Sequence, residues 1–281
     1  MKAVFITVGS IVGFFLLCLL IYLILIRPSG RRSEMKKYRG MRFAHRGLHG
    51  EGVAENSLTA FRRACECGFG IELDVRLSAD GVLVVFHDDT LDRMTGECGA
   101  VSSRTAAELS EIKLLGTSDT VPTFCEVLSL VDGCVPLLVE IKGGMGVGDK
   151  VAEKTAELLS SYRGEYIVES FDPFALGVIK KKMPAVMRGM LSDAFLKSPE
   201  YRKPMYFVLQ SLLMNVIAKP DFIAYSYKNR RALPLTFMRK IFHAPTFAWT
   251  IKSEKEETEA LEFGFDGVIF ENYMPKSSGQ L

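Results

Sequence analysis

The sequence predicts an α/β fold, a (β/α)8 (TIM) barrel preceded by one N-terminal transmembrane helix. Three observations lead to this prediction: an uncharged apolar run at residues 3–26, an alternation of short apolar runs with helical patterns from residue 41 onward, and a length of 281 residues. A barrel of this kind takes roughly 250 residues, which leaves room for one extra segment. We therefore divide the chain into an anchor at 3–26, a basic linker at 27–40 and a barrel at 41–281.

The apolar run at 3–26 is rich in Val, Ile, Leu and Phe. As a helix, it is long enough to cross the ~30 Å hydrocarbon core of a bilayer. A cleaved secretory signal would have a shorter apolar core and a small-residue cleavage site, whereas this run ends in IRPSGRR. We interpret it as a permanent single-span anchor rather than a signal peptide.

Eight short apolar runs predict the parallel strands, at 42–45, 71–75, 137–142, 165–170, 186–190, 221–225, 245–250 and 266–270. Helical patterns separate several of them, at 57–67, 149–162, 173–182 and 253–263. The Asp80-Gly81 pair predicts a tight turn that joins 75–77 to 82–86 as a hairpin-like extension. In such a barrel the active site lies at the C-terminal ends of the strands.

Charged side chains recur at these predicted strand ends. Glu72 and Asp74 share one face of their strand because strand residues two apart point the same way. Glu140 and Lys142 have the same spacing in the run LLVEIK, where unpaired buried charges would be costly. Three carboxylates without Cys or His ligands suit one hard divalent cation, Ca²⁺ or Mg²⁺. The alternative for Glu140 and Lys142 is an exposed ion pair on an edge strand.

Two histidines, His45 and His87, also follow apolar runs and are predicted to face the same barrel mouth. An imidazole pKa of about 6.5 lets one ring donate and the other accept a proton near neutrality. We therefore predict that they act as general acid and general base, in either order. His49 and His243 are interpreted as ordinary core or surface histidines.

These residues belong to an ordered set of motifs: AHRG at 44–47, EN at 55–56, IELDV at 71–75, VVFHDDTLDRMTG at 84–96, VPTFCEVL at 121–128, VEIK at 139–142, AWT at 248–250 and DGVIF at 266–270. The set resembles the glycerophosphodiester phosphodiesterase family. The resemblance supports the catalytic and metal-binding assignments, and it implies that Arg46 contacts the phosphate and that Lys142 supplies a further positive group.

The resemblance also supports substrate contacts for Phe171 and Trp249, for which the alternative is packing inside the barrel. Asn56 or Ser57 is predicted to be the N-cap of the next helix. Asn56 is alternatively a functional member of the EN pair, and its two readings weigh evenly. The family usually has Pro before this pair, whereas this chain has Ala54.

The predicted function is metal-dependent hydrolysis of glycerophosphodiesters to glycerol 3-phosphate and an alcohol. One alternative is a lysophospholipase D-like or cyclising phospholipase on the same barrel, and another is a non-catalytic, membrane-tethered binding module. From residue 40 onward the chain has 28 basic and 32 acidic residues, a net charge of −4, which excludes a nucleic-acid footprint. The expected partners are a small glycerophosphodiester or lysolipid and the membrane lipid.

The uncharged run 206–218 is a second candidate for membrane contact, although it is too short to span a bilayer. It is predicted either to pack on the barrel or to contact lipid near the active-site mouth.

The charges that flank the apolar run predict which side of the membrane the barrel occupies. Lys2 precedes the run, whereas six basic residues follow it closely: Arg27, Arg31, Arg32, Lys36, Lys37 and Arg39. Because Lys and Arg are retained in the cytoplasm, we predict a single-pass protein of the cell membrane with its barrel on the cytoplasmic face. Five cysteines in the barrel, without a disulfide framework, agree with a reducing compartment.

Overall fold

The computed structural model of the protein describes residues 2–143 and 148–276. Eight parallel strands close into a barrel, because the first strand pairs with both the second and the last. One further strand, β3, runs antiparallel beside β2. The strands are β1 (Arg42–Ala44), β2 (Gly70–Leu77), β3 (Leu83–Val85), β4 (Leu137–Ile141), β5 (Tyr166–Ser170), β6 (Arg188–Ser192), β7 (Phe222–Ser226), β8 (Thr246–Ile251) and β9 (Gly267–Phe270). The predicted barrel is confirmed.

The helices of the described residues form the outer layer and the connections. They are α1 (Lys2–Ile26), α2 (Arg32–Met35), α3 (Leu58–Cys67), α4 (Asp92–Thr95), α5 (Ala106–Glu111), α6 (Phe124–Val131), α7 (Gly148–Leu159), α8 (Pro173–Lys182), α9 (Pro204–Gln210), α10 (Asn215–Ala218), α11 (Leu233–Lys240) and α12 (Glu254–Phe263). Short 3-10 turns occupy Lys36–Tyr38, Val101–Ser103, Phe195–Lys197, Pro199–Tyr201 and Tyr227–Asn229.

Strand boundaries differ from the predicted ones where the backbone has other partners. The fifth predicted strand, at 186–190, corresponds to β6, which runs from Arg188 to Ser192. Val186 lies outside it because its N–H bonds to the carbonyl of Met183 and its carbonyl accepts a hydrogen bond from Arg31. The predicted hairpin at Asp80-Gly81 is present, and β2 and β3 pair around it.

The segment 27–40, predicted as a basic linker, packs against the N-terminal ends of the strands, which we call the bottom of the barrel. Met35 and Tyr38 are buried there among Phe43, Phe222 and other core side chains. Residues 27–40 therefore connect α1 to β1 and also close one end of the barrel core.

The uncharged run 206–218 is not one helix. It is divided between α9 and α10, and Leu212 between them is buried with a left-handed backbone (φ 58°). Asn215 is also buried, whereas Phe207 and Val216 are exposed. Part of the run thus packs on the barrel and part of it faces outward.

Helix α1 contains the 22-residue segment Phe5–Ile26, which is long and apolar enough to cross a membrane by length and composition. Only its last residues touch the barrel: Ile26 is buried, and Tyr22 and Leu23 are partly buried. The ring of Tyr22 packs edge-on against that of Phe237 in α11, 5.7 Å between centroids. The rest of the helix projects away from the barrel.

Candidate active site

A cavity of about 110 Å³ lies at the C-terminal ends of the strands, which form the mouth of the barrel. Eight of the nine predicted site residues line it: His45, Arg46, Glu72, His87, Glu140, Lys142, Phe171 and Trp249. The ninth, Asp74, is fully buried beside them. The cavity is also lined by Glu169, Leu191, Thr250 and Ile269, which were not predicted.

The three predicted metal ligands form one cluster. Glu72, Asp74 and Glu140 each offer a carboxylate oxygen, and these oxygens lie within 4.8 Å of one another. Glu72 and Asp74 share a face of β2, and Asp74 is the register partner of Glu140 on β4. Exposed acidic clusters are common, but these side chains are 1%, 0% and 7% exposed. A buried set of oxygen ligands fits a hard divalent cation.

Burial and mutual repulsion oppose ionisation of two of these carboxyl groups. Burial, together with the charges of Asp74 and Glu140, raises the pKa of Glu72 well above its usual value. Burial raises the pKa of Glu140 to about 7, although Lys142 opposes the rise. Asp74 differs, because Lys142, His87 and Arg46 outweigh its burial and hold its pKa below the usual value. The negative charge of the cluster is therefore not fully balanced by the neighbouring cations, and a divalent cation would supply the missing positive charge.

Lys142 lies among the carboxylates. Its Nζ is 3.0 Å from Asp74 Oδ1 and 2.6 Å from Glu140 Oε1. These two negative partners raise the pKa of Lys142 despite its burial, so the amine stays positively charged. It reaches the cavity, as predicted, and also neutralises part of the acidic cluster.

Asn56 and Arg46 orient the carboxylates. Asn56 Nδ2 donates to Asp74 Oδ2 at 2.8 Å, and the Arg46 backbone N–H donates to Glu72 Oε2 at 2.8 Å. Both residues have left-handed backbones, with φ of 53° and 56°. The N-cap of α3 is instead Ser57, whose Oγ accepts from the N–H of Ala60. Of the two readings of Asn56, the helix cap is wrong, and its contact is with the acidic cluster.

His45 is bonded to a carboxylate that the sequence analysis did not identify. Its Nδ1 lies 2.5 Å from Glu271 Oε2, and Lys252 Nζ lies 2.6 Å from Glu271 Oε1. The hydrogen bond from His45 and the charge of Lys252 outweigh burial and lower the pKa of Glu271. Because an ionised carboxylate only accepts, Nδ1 carries the proton, and Nε2 is the nitrogen that can accept one. Glu271 directly follows β9. The rule that barrel active sites lie at the C-terminal ends of the strands, applied to the motif DGVIF, would therefore have identified it.

His87 has the same kind of partner. Its Nδ1 lies 2.6 Å from Asp88 Oδ1, and Arg93 Nε donates to Asp88 Oδ2 at 2.6 Å. Arg93 also bonds to Glu55, which pairs with Arg46. Burial and the nearby cations lower the pKa of His87 to about 4, so the ring is neutral at pH 7. Asp88 is the next residue in the HDD motif, but sequence spacing alone does not show that it contacts the ring.

Glu169 is a fourth carboxyl group in the cavity. It is the register partner of Glu140 on β5, is 1% exposed, and its Oε2 has no hydrogen-bond partner among the described residues. Burial and the charge of Glu140 raise its pKa well above the usual value. Glu169 therefore adds a fourth buried carboxyl group at the edge of the acidic cluster.

Aromatic side chains form one wall of the cavity and continue beyond it. Phe171 packs edge-on against Trp249, with 5.7 Å between centroids, and against Phe195 at 6.0 Å. Phe195 in turn contacts Tyr206 of α9 at 5.7 Å, and Tyr206 contacts Tyr201 at 4.8 Å. The series leads from the cavity to the uncharged run.

The other two histidines differ from each other. His243 is exposed, so of the predicted core and surface positions it occupies the surface one. His49 lies near His45 and Glu271, and its Nε2 is buried with no hydrogen-bond partner among the described residues. Burial lowers the pKa of His49, so its ring is neutral.

Known proteins resemble this chain in both sequence and fold. A glycerophosphodiester phosphodiesterase of Caldanaerobacter subterraneus is 32% identical over 240 residues, which cover 80% of this chain and 91% of the relative. Another, from Bacillus altitudinis, is 30% identical over 241 residues, covering 81% and 92%.

Among solved structures, the glycerophosphodiester phosphodiesterase of Thermotoga maritima has a TM-score of 0.63 at 28% identity, covering 82% of this chain and 94% of that one. The fold also matches a phosphodiesterase of Oleispira antarctica, solved with its product sn-glycerol-3-phosphate, with a TM-score of 0.70 at 24% identity and coverages of 84% and 94%.

Two family models match. One, described as a vacuolar membrane protein, covers only residues 2–40. The other, the glycerophosphoryl diester phosphodiesterase family, covers residues 45–273, a span that contains every predicted site residue. The predicted phosphodiester hydrolase is thereby confirmed, and the chain belongs to the glycerophosphoryl diester phosphodiesterase family.

Proposed function

We propose that His45 and His87 are the general acid and base with which this enzyme cleaves a glycerophosphodiester to glycerol 3-phosphate and an alcohol. One observation carries the proposal: both imidazoles line the same small cavity, and each has its Nδ1 bonded to a carboxylate. Each ring is thereby held in one tautomer with Nε2 available for proton transfer.

The reaction needs one proton removed from the attacking hydroxyl or water and one delivered to the leaving alkoxide. A neutral ring accepts the first proton at Nε2, and the other ring, when protonated, donates the second. The P–O bond to the attacking oxygen forms as the P–O bond to the alcohol breaks. Arg46 and Lys142 line the cavity as cations that attract the phosphodiester anion.

We propose that Glu72, Asp74 and Glu140 hold one divalent cation, Ca²⁺ or Mg²⁺, with Asn56 orienting Asp74. When bound, such an ion neutralises phosphodiester charge and lowers the pKa of a bound hydroxyl or water. Phe171 and Trp249 are proposed to contact the alcohol or glycerol part of the substrate.

We propose that residues 3–26 anchor the chain in the cell membrane, that 27–40 join the anchor to the bottom of the barrel, and that 41–281 form the enzyme. The match of residues 2–40 to a membrane-protein family model supports the anchor. The basic residues after the run favour a cytoplasmic barrel, because orientation is set during insertion, before the barrel folds. The five free cysteines outside the anchor agree with this side.

Phosphorus NMR of the products formed by the full chain tests the activity. Incubation with glycerophosphocholine and Ca²⁺ or Mg²⁺ should give glycerol 3-phosphate, and the double variant His45→Ala with His87→Ala should give none. A stable cyclic phosphate as the only product would indicate a cyclising phospholipase. No turnover on any diester of a broad panel would favour the non-catalytic binding module.

A lysophospholipase D-like activity is a second candidate, because the aromatic series from Phe171 through Phe195 to Tyr206 extends from the cavity. The rings of such a series can pack along the acyl chain of a lysolipid while its phosphodiester group occupies the cavity. Release of the head group from a lysolipid, measured beside release from the soluble diester, distinguishes the two substrates.

A further inference from the structure

The contacts of α1 define its direction relative to the barrel. The connection from β6 to β7 runs from the mouth at Ser192 to the bottom at Phe222. Along it, Tyr22 contacts Ser211, Ile26 contacts Asn215, and Ser29 contacts Pro220, so α1 and the connection run in the same direction. The C-terminal end of α1 is therefore at the bottom, and its N-terminal part points toward the mouth.

The length of the free part of α1 matches a bilayer. Residues 5–21 are exposed, and partial burial begins at Tyr22. At roughly 1.5 Å per residue these 17 residues extend about 26 Å, close to the ~30 Å hydrocarbon core. If they span a bilayer, its surface lies near the level of Tyr22, which is nearer to the mouth than Ile26 and Ser29 are.

Segments 194–210 and 227–233, which follow β6 and β7, form the rim of the mouth nearest to α1. This rim carries exposed apolar side chains. Leu233 starts α11 one turn before Phe237, the residue that contacts Tyr22, and residues four apart share a helix face. Leu233 is 71% exposed, and Phe207 and Met205 on α9 are 55% and 40% exposed. These three side chains present an apolar edge on the side toward which α1 projects.

Basic side chains lie beside this apolar edge. Segments 194–210 and 227–233, which follow β6 and β7 at the mouth, carry six basic residues and one acidic residue, Glu200. Lys197, Lys228, Arg230 and Arg231 line a groove of about 530 Å³ together with Leu233. Lys228 and Arg231 are exposed and have no acidic partner among the described residues. A basic surface beside exposed apolar side chains is typical of a surface that binds anionic lipid.

We propose that this rim, which consists of segments 194–210 and 227–233, binds the anionic phospholipid head groups of the bilayer that α1 spans, so that the active-site mouth faces that bilayer. The proposal rests on the proposed anchor but not on the proposed chemistry. The groove takes the head-group phosphates, and the apolar edge enters the interface. Substrate then arrives from the membrane surface, along the side on which the aromatic series ends.

Lipid-dependent quenching of a fluorophore on the full chain tests the proposal. In a variant without other cysteines, the probe is attached either to Leu233→Cys at the rim or to the native Cys134, which is exposed and precedes β4 at the bottom. Both proteins are reconstituted in nanodiscs of phosphatidylcholine and phosphatidylglycerol with brominated acyl chains. The rim probe should be strongly quenched and the bottom probe should not.

A charge-reversed variant, Lys228→Glu with Arg231→Glu, should lose most of the quenching at the rim while the chain remains in the disc. Equal, weak quenching at both positions would overturn the proposal, as would quenching that the charge reversal or replacement of phosphatidylglycerol by phosphatidylcholine leaves unchanged. A chain that does not stay in discs would refute the anchor as well. Turnover of soluble glycerophosphocholine is measured separately. Failure of the proposed enzymatic function can therefore be distinguished from failure of lipid binding by the rim.

Discussion

His45 Nδ1 lies 2.5 Å from Glu271 Oε2, a contact between residues 226 positions apart in the chain. The carboxylate fixes the tautomer of the ring, and Lys252 holds its other oxygen. Burial lowers the pKa of His45, and Glu271 partly counteracts this by its hydrogen bond and its charge. Glu271 is therefore a positioning residue for the predicted acid–base pair.

Replacing Glu271 with Gln should lower kcat by up to about 10²-fold, a part of what general acid–base catalysis commonly supplies. Since Glu271 raises the pKa of His45, its loss lowers that pKa, and the limb of the pH–rate profile that reports His45 should move to lower pH. The measurement is kcat and kcat/KM against pH, with the exposed Glu262→Gln on α12 as control. An unshifted profile would show that Glu271 does not act on this ring.

Replacing His87 with Ala should lower kcat by about 10²- to 10⁴-fold, because it removes one of the two proton-transferring groups. The ring has a pKa of about 4, so it is neutral at pH 7 and the loss should persist across neutral pH. Initial rates and circular dichroism measure activity and folding. His243→Asn, at an exposed histidine with a left-handed backbone, is the matched control. Wild-type turnover in His87→Ala would contradict the two-histidine mechanism.

Divalent cations should stabilise the protein through the acidic cluster. At a concentration 100 times the dissociation constant, Ca²⁺ or Mg²⁺ should contribute about 2.7 kcal/mol to the free energy of unfolding. Glu140→Gln should lose most of this gain, while Glu111→Gln on α5 should keep it. Thermal unfolding with and without chelator measures the effect. An equal gain in the wild type and in Glu140→Gln would place the cation elsewhere.

Replacing Phe195 with Ala should separate the two candidate substrates. Its ring bridges Phe171 in the cavity and Tyr206 on α9, but it does not line the cavity itself. We expect kcat/KM for a lysolipid to fall roughly tenfold, on the order of one lost aromatic contact, and that for glycerophosphocholine to stay unchanged. Equal losses on both substrates would assign Phe195 to packing of the site.

Removing Arg31 should destabilise the fold from outside the active site. Its Nε and Nη2 donate to the fully buried Asp221 at 2.8 and 2.5 Å. Arg31→Ala leaves that carboxylate buried without its cation, which should cost about 3 kcal/mol of unfolding free energy. Arg32→Ala, at the exposed next residue, should cost little. Denaturant unfolding of the full chain measures both, and equal stabilities would show that the Arg31–Asp221 pair contributes nothing to the stability of the fold.

Local patterns in the sequence determined the barrel and most of the residues that line its cavity. Period-two spacing within one strand places Glu72 beside Asp74, and the rule that barrel sites lie at strand ends brings in His45, Glu140 and Lys142. These predictions require knowing only which residues form each strand and where the strand ends. They do not require knowing how the side chains pack. The same locality explains the small errors at strand boundaries, where Val186 bonds to Arg31 from another part of the chain.

Tertiary structure decided whatever depends on contacts between distant segments. Barrel closure brings Glu271 to His45, and the left-handed backbone of Asn56 directs its amide to Asp74 instead of capping a helix. Hydropathy marked 206–218 as one uncharged run, but which side chains face outward depends on the turn at Leu212. The apolar run at 3–26 predicted an anchor from its composition, whereas its direction past the barrel mouth follows only from the contacts of Tyr22 and Ile26, because composition carries no information about orientation relative to a folded domain.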